Sequence, residues 1–147
     1  QIPLVKRTHL LRILVQKISD PKLELVQELS SPRTIHTLKK ACKMWPEASF
    51  NFVIGSDLAV QIPKWLNAKS VLNQAKIAIA IRDGWPISDK QLDELKKLGG
   101  EIELLPFKIP GSSSSKFRQR PQESLVPFEI LPTLIEENLY GFADMSK

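Results

Sequence analysis

Apolar and polar positions along this chain follow two periods, and the switches between them outline its elements. Leu10, Leu11, Leu14, Val15 and Ile18 recur at helical spacing, which predicts a helix over residues 4–18. Leu23-Glu24-Leu25-Val26, after Asp20-Pro21, reads as a short strand. Residues 34–45 read as a helix that Pro46 closes. Residues 50–54 are a compact β-forming run, residues 68–74 a short helix, and Ile77-Ala78-Ile79-Ala80-Ile81 a fully apolar strand. Ser88 can cap a helix that runs to Leu98, where Gly99-Gly100 stops it, and residues 101–105 form a last strand. A Ser-rich loop at 111–115 leads to a short helix, and residues 127–140 give a terminal helical segment.

Strands and helices thus alternate four times, which predicts right-handed βαβ units and a parallel sheet: an α/β chain with a Rossmann-like core. No internal repeat or composition shift marks a boundary, so residues 1–147 read as a single domain.

Composition narrows the function classes. With 42% hydrophobic and 25% charged residues the 147-residue chain is ordinary for a globular protein and long enough to bury a core. No apolar stretch approaches the ~20 residues that span a bilayer, so no membrane partner is expected. The net charge of +5, from 21 basic against 16 acidic residues, suits anionic nucleotides as well as nucleic acid. The lysines scatter over helices, as at Lys39, Lys40, Lys43, Lys96 and Lys97, and read as solvated faces; no nucleic acid partner is expected. Cys42 is the single cysteine, without a disulfide or metal-site companion. It reads as a packing residue in a reducing cytoplasm, and no metal site is expected among these side chains.

Candidate chemistry gathers in a few runs. Asn51-Phe52-Val53-Ile54-Gly55-Ser56-Asp57 is a strand that delivers a polar loop to the carboxyl edge of a sheet, where open α/β folds bind nucleotides. Gly55 lets another group approach the backbone, Asp57 can accept two hydrogen bonds from a ribose diol, and Trp65 in Pro63-Lys64-Trp65 offers a flat face to an aromatic ring. Ser113-Ser114-Ser115-Lys116-Phe117-Arg118 puts hydroxyls and free N–H groups at a helix start, with Arg118 one turn in; this is either an anion site or a linker before an exposed basic helix. Thr34 and Thr37, one turn apart, fit helix capping or ligand contact. Arg82 leaves an apolar strand at the same sheet edge, to bind a phosphate or carboxylate or to pair with Asp83.

Taken in order, these runs resemble the nicotinate mononucleotide adenylyltransferase family, especially its cyanobacterial-type members, over residues 3–140. The serine run is similar to the family's Ser-Ser-Thr-x-Ile-Arg motif, with Ser115 at the usual Thr and Phe117 at a usual aliphatic. Thr34-Ile35-His36-Thr37-Leu38 is similar to its Thr-x-x-Thr-Leu stretch, with His36 at an often acidic position.

The resemblance implies a sheet of the nucleotidyltransferase type and transfer of AMP from ATP to nicotinate mononucleotide, with Mg²⁺ accompanying the ATP. Gly55, Asp57, Ser113, Ser114, Ser115 and Arg118 would then bind ATP, and Thr34, Thr37, Trp65 and Arg82 the mononucleotide. The family's catalytic His-x-Gly-His turn has no counterpart, because neither His9 nor His36 lies in such a turn. The expectation is therefore a fold incomplete at its N-terminal βαβ unit, with no catalytic residue among these positions. Two alternatives stay open: a non-catalytic nucleotide-binding module or partner subunit, and an adenylyltransferase for another acceptor such as phosphopantetheine. Homo-oligomerisation is compatible with the sequence.

Overall fold

In the computed structural model, which describes residues 2–112 and 114–146, the chain divides into two compact units. One holds Glu28–Gly111; the other holds Gln1–Gln27 with Ser112–Lys147.

The first unit is built on β1 (Phe50–Gly55), β2 (Ala75–Arg82) and β3 (Ile102–Ile109), hydrogen-bonded in the order β1-β2-β3. Both pairings are parallel, with Ile54 opposite Ile79 and Ile77 opposite Ile102. The parallel α/β class read from the sequence is borne out. Between the strands run α3 (Ser56–Ala59), α4 (Ala68–Gln74) and α5 (Asp89–Lys97), after α2 (Thr34–Met44). Helix α5 starts with the expected Ser88 cap. The Gln91 N–H donates to Ser88 Oγ at 3.3 Å, and the Ser88 N–H donates back to Gln91 Oε1 at 2.9 Å.

The crossovers share one face of the sheet. Leu72 of α4 and Leu95 of α5 bury against Ile54, Ile77 and Ile79. Ile35 and Leu38 of α2 close on Val71 and Ala75 beside them. The opposite face carries Val53, still 61% exposed. Along that face Lys76 pairs with Glu103 at 3.1 Å and Glu101 at 3.4 Å. Hydrogen bonding to Glu103 first, then to Glu101, raises its pKa. The pairs therefore favour the folded state at neutral pH, and the contribution fades as alkaline pH deprotonates the ammonium.

Strand β3 outruns the expected 101–105. Between Ile79 and Ile81 the register shifts from Leu104 to Lys108, so Pro106, which has no N–H to give a ladder, sits in the irregularity.

The second unit holds α1 (Leu4–Ile18), α6 (Ser114–Gln119) and α7 (Leu131–Glu136). Leu10 packs with Ile130, Leu134, Leu139 and Phe142. Lys6 pairs with Glu137, and Phe117 meets Tyr140 edge-on at 5.4 Å.

Two expectations are corrected here. Residues 23–26 are not a strand. Asp20 folds the chain into a turn, accepting from the N–H of Lys22 on its side chain and of Leu23 on its carbonyl, and Gln27–Leu29 continues as a 3-10 turn. Four residues, three of them apolar, are too few to carry a period of their own, and among the described residues no strand pairs with them. The 127–140 segment is not one helix either. Asn138 and Tyr140 take left-handed conformations, φ 47° and 57°, which break it after α7. Among the described residues no helix is long and apolar enough to cross a membrane.

Burial predicts unequal responses on the two faces. Ile79→Ala, at a fully buried site, is expected to lower unfolding free energy by about 2–5 kcal/mol, whereas Val53→Ala stays within about 0.5 kcal/mol. Urea titration of the two variants checks this; equal losses would contradict the assignment of faces.

Candidate functional site at the carboxyl edge of the sheet

The ladder between β1 and β2 ends at Gly55 and Ala80, and the next residue, Ser56, ties the two strand ends together beyond it. Its side chain is 1% exposed. Ser56 Oγ donates to the Trp85 carbonyl at 2.6 Å and accepts from the Arg82 N–H at 2.9 Å. The Trp85 N–H donates to the Arg82 carbonyl at 2.9 Å, closing a turn in which Gly84 holds φ 81°. That positive φ is why glycine stands there. Ser56 thus fixes where Arg82 leaves the sheet and where the half-exposed Trp85 ring stands.

Arg82 makes its ion pair with Asp57, Nε to Oδ1 at 3.1 Å, across the ends of the two strands. The sequence offered Asp83 as its partner; register sets Asp57 there instead. Oδ1 is enclosed, while the Asp57 side chain as a whole remains 23% exposed. A Cβ on Gly55 would lie 2.4 Å from Asp57 Oδ1 and 3.4 Å from the Arg82 guanidinium. The group that Gly55 admits is therefore this ion pair.

The threonine region lies along α2. Thr34 is not the N-cap expected of it: Arg33 occupies that position, extended and without a side-chain cap, and Thr34 is the first helical residue. Thr37 Oγ1 donates to the Leu29 carbonyl at 2.9 Å and holds the preceding turn. Pro32, Arg33, Thr34, Lys64, Trp65 and Leu66 line a hollow of about 300 Å³. Trp65 is half-buried: its ring meets Phe52 edge-on at 6.3 Å, and it packs against the sheet core. It is thus both cover for the core and wall of the hollow.

The serine run belongs to the other unit. Ser113 lies outside the described residues. Ser114 and Ser115 open α6, and Arg118 Nη2 donates to Ser115 Oγ at 3.2 Å.

The structure thus brings Gly55, Asp57 and Arg82 together, and separately Thr34 with Trp65. Sequence reasoning missed Ser56, Trp85, Arg33 and Lys64. Ser56 and Lys64 stand inside the runs singled out around Asp57 and Trp65 but were given no role there, and the Asp83-Gly84 turn signal precedes Trp85. Cys42 is half-buried, with its Sγ 3.8 Å from Gln74 Oε1, as suits packing. Among the described residues no group of three or more His, Cys, Asp or Glu is placed to hold a metal ion.

No family model matches the chain. A Synechocystis sp. protein named probable nicotinate-nucleotide adenylyltransferase is 29% identical over 142 residues, 91% of this chain and 71% of that protein. A Shewanella pealeana protein of the same name is 24% identical over 116 residues, 69% of this chain and about half, 53%, of its own length. A Plasmodium falciparum nicotinic acid mononucleotide adenylyltransferase, solved in complex with NaAD, superimposes with a TM-score of 0.69 at 21% identity, over 96% of this chain and 76% of that one. The resemblance read from the residues is thereby borne out: the chain is a relative of the nicotinate-nucleotide adenylyltransferases and has their nucleotidyltransferase fold.

Proposed function

We propose that this protein transfers AMP from ATP to nicotinate mononucleotide. A phosphate oxygen of the mononucleotide attacks the α-phosphorus of ATP, the bond to the β-phosphate oxygen breaks, and nicotinate adenine dinucleotide and pyrophosphate result. The observation that carries the reading is the 29% identity over 142 residues with a named nicotinate-nucleotide adenylyltransferase. The reaction runs through no covalent enzyme intermediate, so positioning and electrostatics are what the side chains supply.

In this reading the two units act as one nucleotidyltransferase domain over residues 1–147, in the cytoplasm, without nucleic acid or membrane. Asp57 takes the adenosine ribose on its exposed oxygen, over Gly55. Ser113, Ser114, Ser115 and Arg118 take the ATP phosphates, where Mg²⁺ supplies further charge neutralisation. Trp65 stacks on the pyridine ring beside Thr34, and Thr37 takes part as an acceptor, because its proton is committed to Leu29. Arg82, oriented by Asp57, takes an anion of the mononucleotide.

One observation favours a second reading for these residues on their own. His9 and His36 are the only histidines, and neither stands in a His-x-Gly-His turn. Alone, the 147 residues would then bind nucleotide without effective transfer. A single lost transition-state donor is worth roughly 10²–10³ in rate. Dinucleotide formation is expected at least that far below a relative that has the turn, while calorimetry still detects ATP binding. Fast turnover would refute the second reading; absence of ATP binding would refute both.

Two substitutions separate the substrate sides. Gly55→Ala drives a methyl group into Asp57 Oδ1 and against the Arg82 guanidinium, so ATP affinity is expected to fall about tenfold, with a smaller loss for the mononucleotide through the displaced Arg82. Trp65→Ala removes the ring's stacking, worth about 0.5–1.5 kcal/mol beyond its buried area. It is expected to weaken the mononucleotide about tenfold and ATP little. Its contact with Phe52 adds a drop of several degrees in melting temperature. Equal loss for both substrates would mark Trp65 as a core residue only.

A further inference from the structure

The unit built on α1, α6 and α7 holds an apolar pocket of about 330 Å³. One wall is α1, where Arg7, Leu10, Leu11 and Leu14 recur in steps of three and four and so share a helix face. Apart from Arg7, every lining residue is apolar or aromatic. Leu10 and Ile130 are buried and form its floor, while Leu11 and Leu125 remain half exposed at its rim. Arg7 is exposed as well. Its neighbour Lys6 takes Glu137, whereas the Arg7 side chain has no hydrogen-bond or ion-pair partner among the described residues. A single cation thus stands at the mouth of an otherwise uncharged pocket.

We propose that this pocket binds a small monocarboxylic acid, with its apolar body against Leu10, Leu11 and Leu14 and its carboxylate on Arg7. None of the residues assigned to ATP or the mononucleotide lines it, so the proposal stands apart from the transfer reaction. Volume sets the size of the ligand. At roughly 30 Å³ for each non-hydrogen atom of a liquid, the pocket takes a molecule of about ten such atoms. Charge sets its polarity: a guanidinium receives one carboxylate through two parallel hydrogen bonds, and a second anionic group would meet only apolar walls. A docked helix would need a groove several anchors long, whereas here one pocket carries one charge.

The test is calorimetric titration of the protein with hexanoate, octanoate, decanoate, dodecanoate and 1-octanol, each below its micelle-forming concentration. From hexanoate to octanoate each added methylene should tighten binding about fourfold. The gain should cease by dodecanoate, whose chain exceeds the cavity. Octanoate should bind at least about tenfold more tightly than octanol, which lacks the charge. Arg7→Gln should remove that advantage and leave octanol affinity and melting temperature unchanged, while Arg7→Lys should keep most of it. Leu11→Trp, at the half-exposed rim, should fill the mouth and abolish binding of both. A gain per methylene that continues to dodecanoate would mean adsorption on open apolar surface and overturn the proposal. Octanoate binding that Arg7→Gln leaves unchanged would overturn it too, as would absence of octanoate binding. If octanoate does not bind and sedimentation shows a dimer that Leu11→Asp disperses, the pocket serves a second copy of the chain instead.

Discussion

A buried serine hydroxyl holds together the ends of the strands that carry the site. The ladder between β1 and β2 stops at Gly55 and Ala80, and past that point the Arg82 N–H and the Trp85 carbonyl would be backbone groups without partners. Ser56 Oγ satisfies both at once while being 1% exposed itself. Removing such a hydroxyl leaves buried polar groups unpaired, at about 1–3 kcal/mol. Its structural consequence is larger than its energy. With the Arg82 backbone fixed, the guanidinium lies over Asp57, and that pair occupies the space a Gly55 side chain would fill. Gly55, Ser56 and Asp57 are thus one device: a residue without a Cβ, a latch, and the charge the latch aligns.

The fold was legible wherever one period dominated. α1 and α4 match the apolar spacing at both ends, and α5 follows from its Ser88 cap, because these signals are local. The errors fall where local signal competes with something distant. Leu23–Val26 has a strand's composition, but no sheet edge pairs with it, and Asp20 turns the chain instead. Strand β3 continues past Pro106 because a register shift absorbs the proline, a property of its pairing with β2. Residues 127–140 break at left-handed Asn138 and Tyr140, a conformation their composition does not announce.

The candidate site was legible in residue types and less so in partners. The run from Gly55 to Asp57 was readable because glycine, a small polar residue and a carboxylate after an apolar strand have few uses. Arg82 was also singled out, yet sequence proximity suggested Asp83 where parallel register supplies Asp57. Register is a long-range quantity, which neighbouring residues do not encode. Arg33 and Lys64 were passed over for a related reason: surface cations are common, and only the fold reveals that two of them share a hollow with Trp65.

Trp65 shows why core and site are hard to separate in this chain. One part of the indole packs on Phe52 and the sheet core, and another lines the hollow, so the ring's position is fixed by burial before any ligand arrives. An aromatic wall held in this way loses little side-chain entropy on binding, because folding has already ordered it. Thr37 follows the same logic with polar atoms. Its hydroxyl proton is committed to Leu29, which holds the turn before α2 and leaves its oxygen only as an acceptor. In both cases the group that would meet a ligand is immobilised by the contact that stabilises the fold. A substitution at either position therefore changes stability and recognition together, and only comparison between the two substrates separates them.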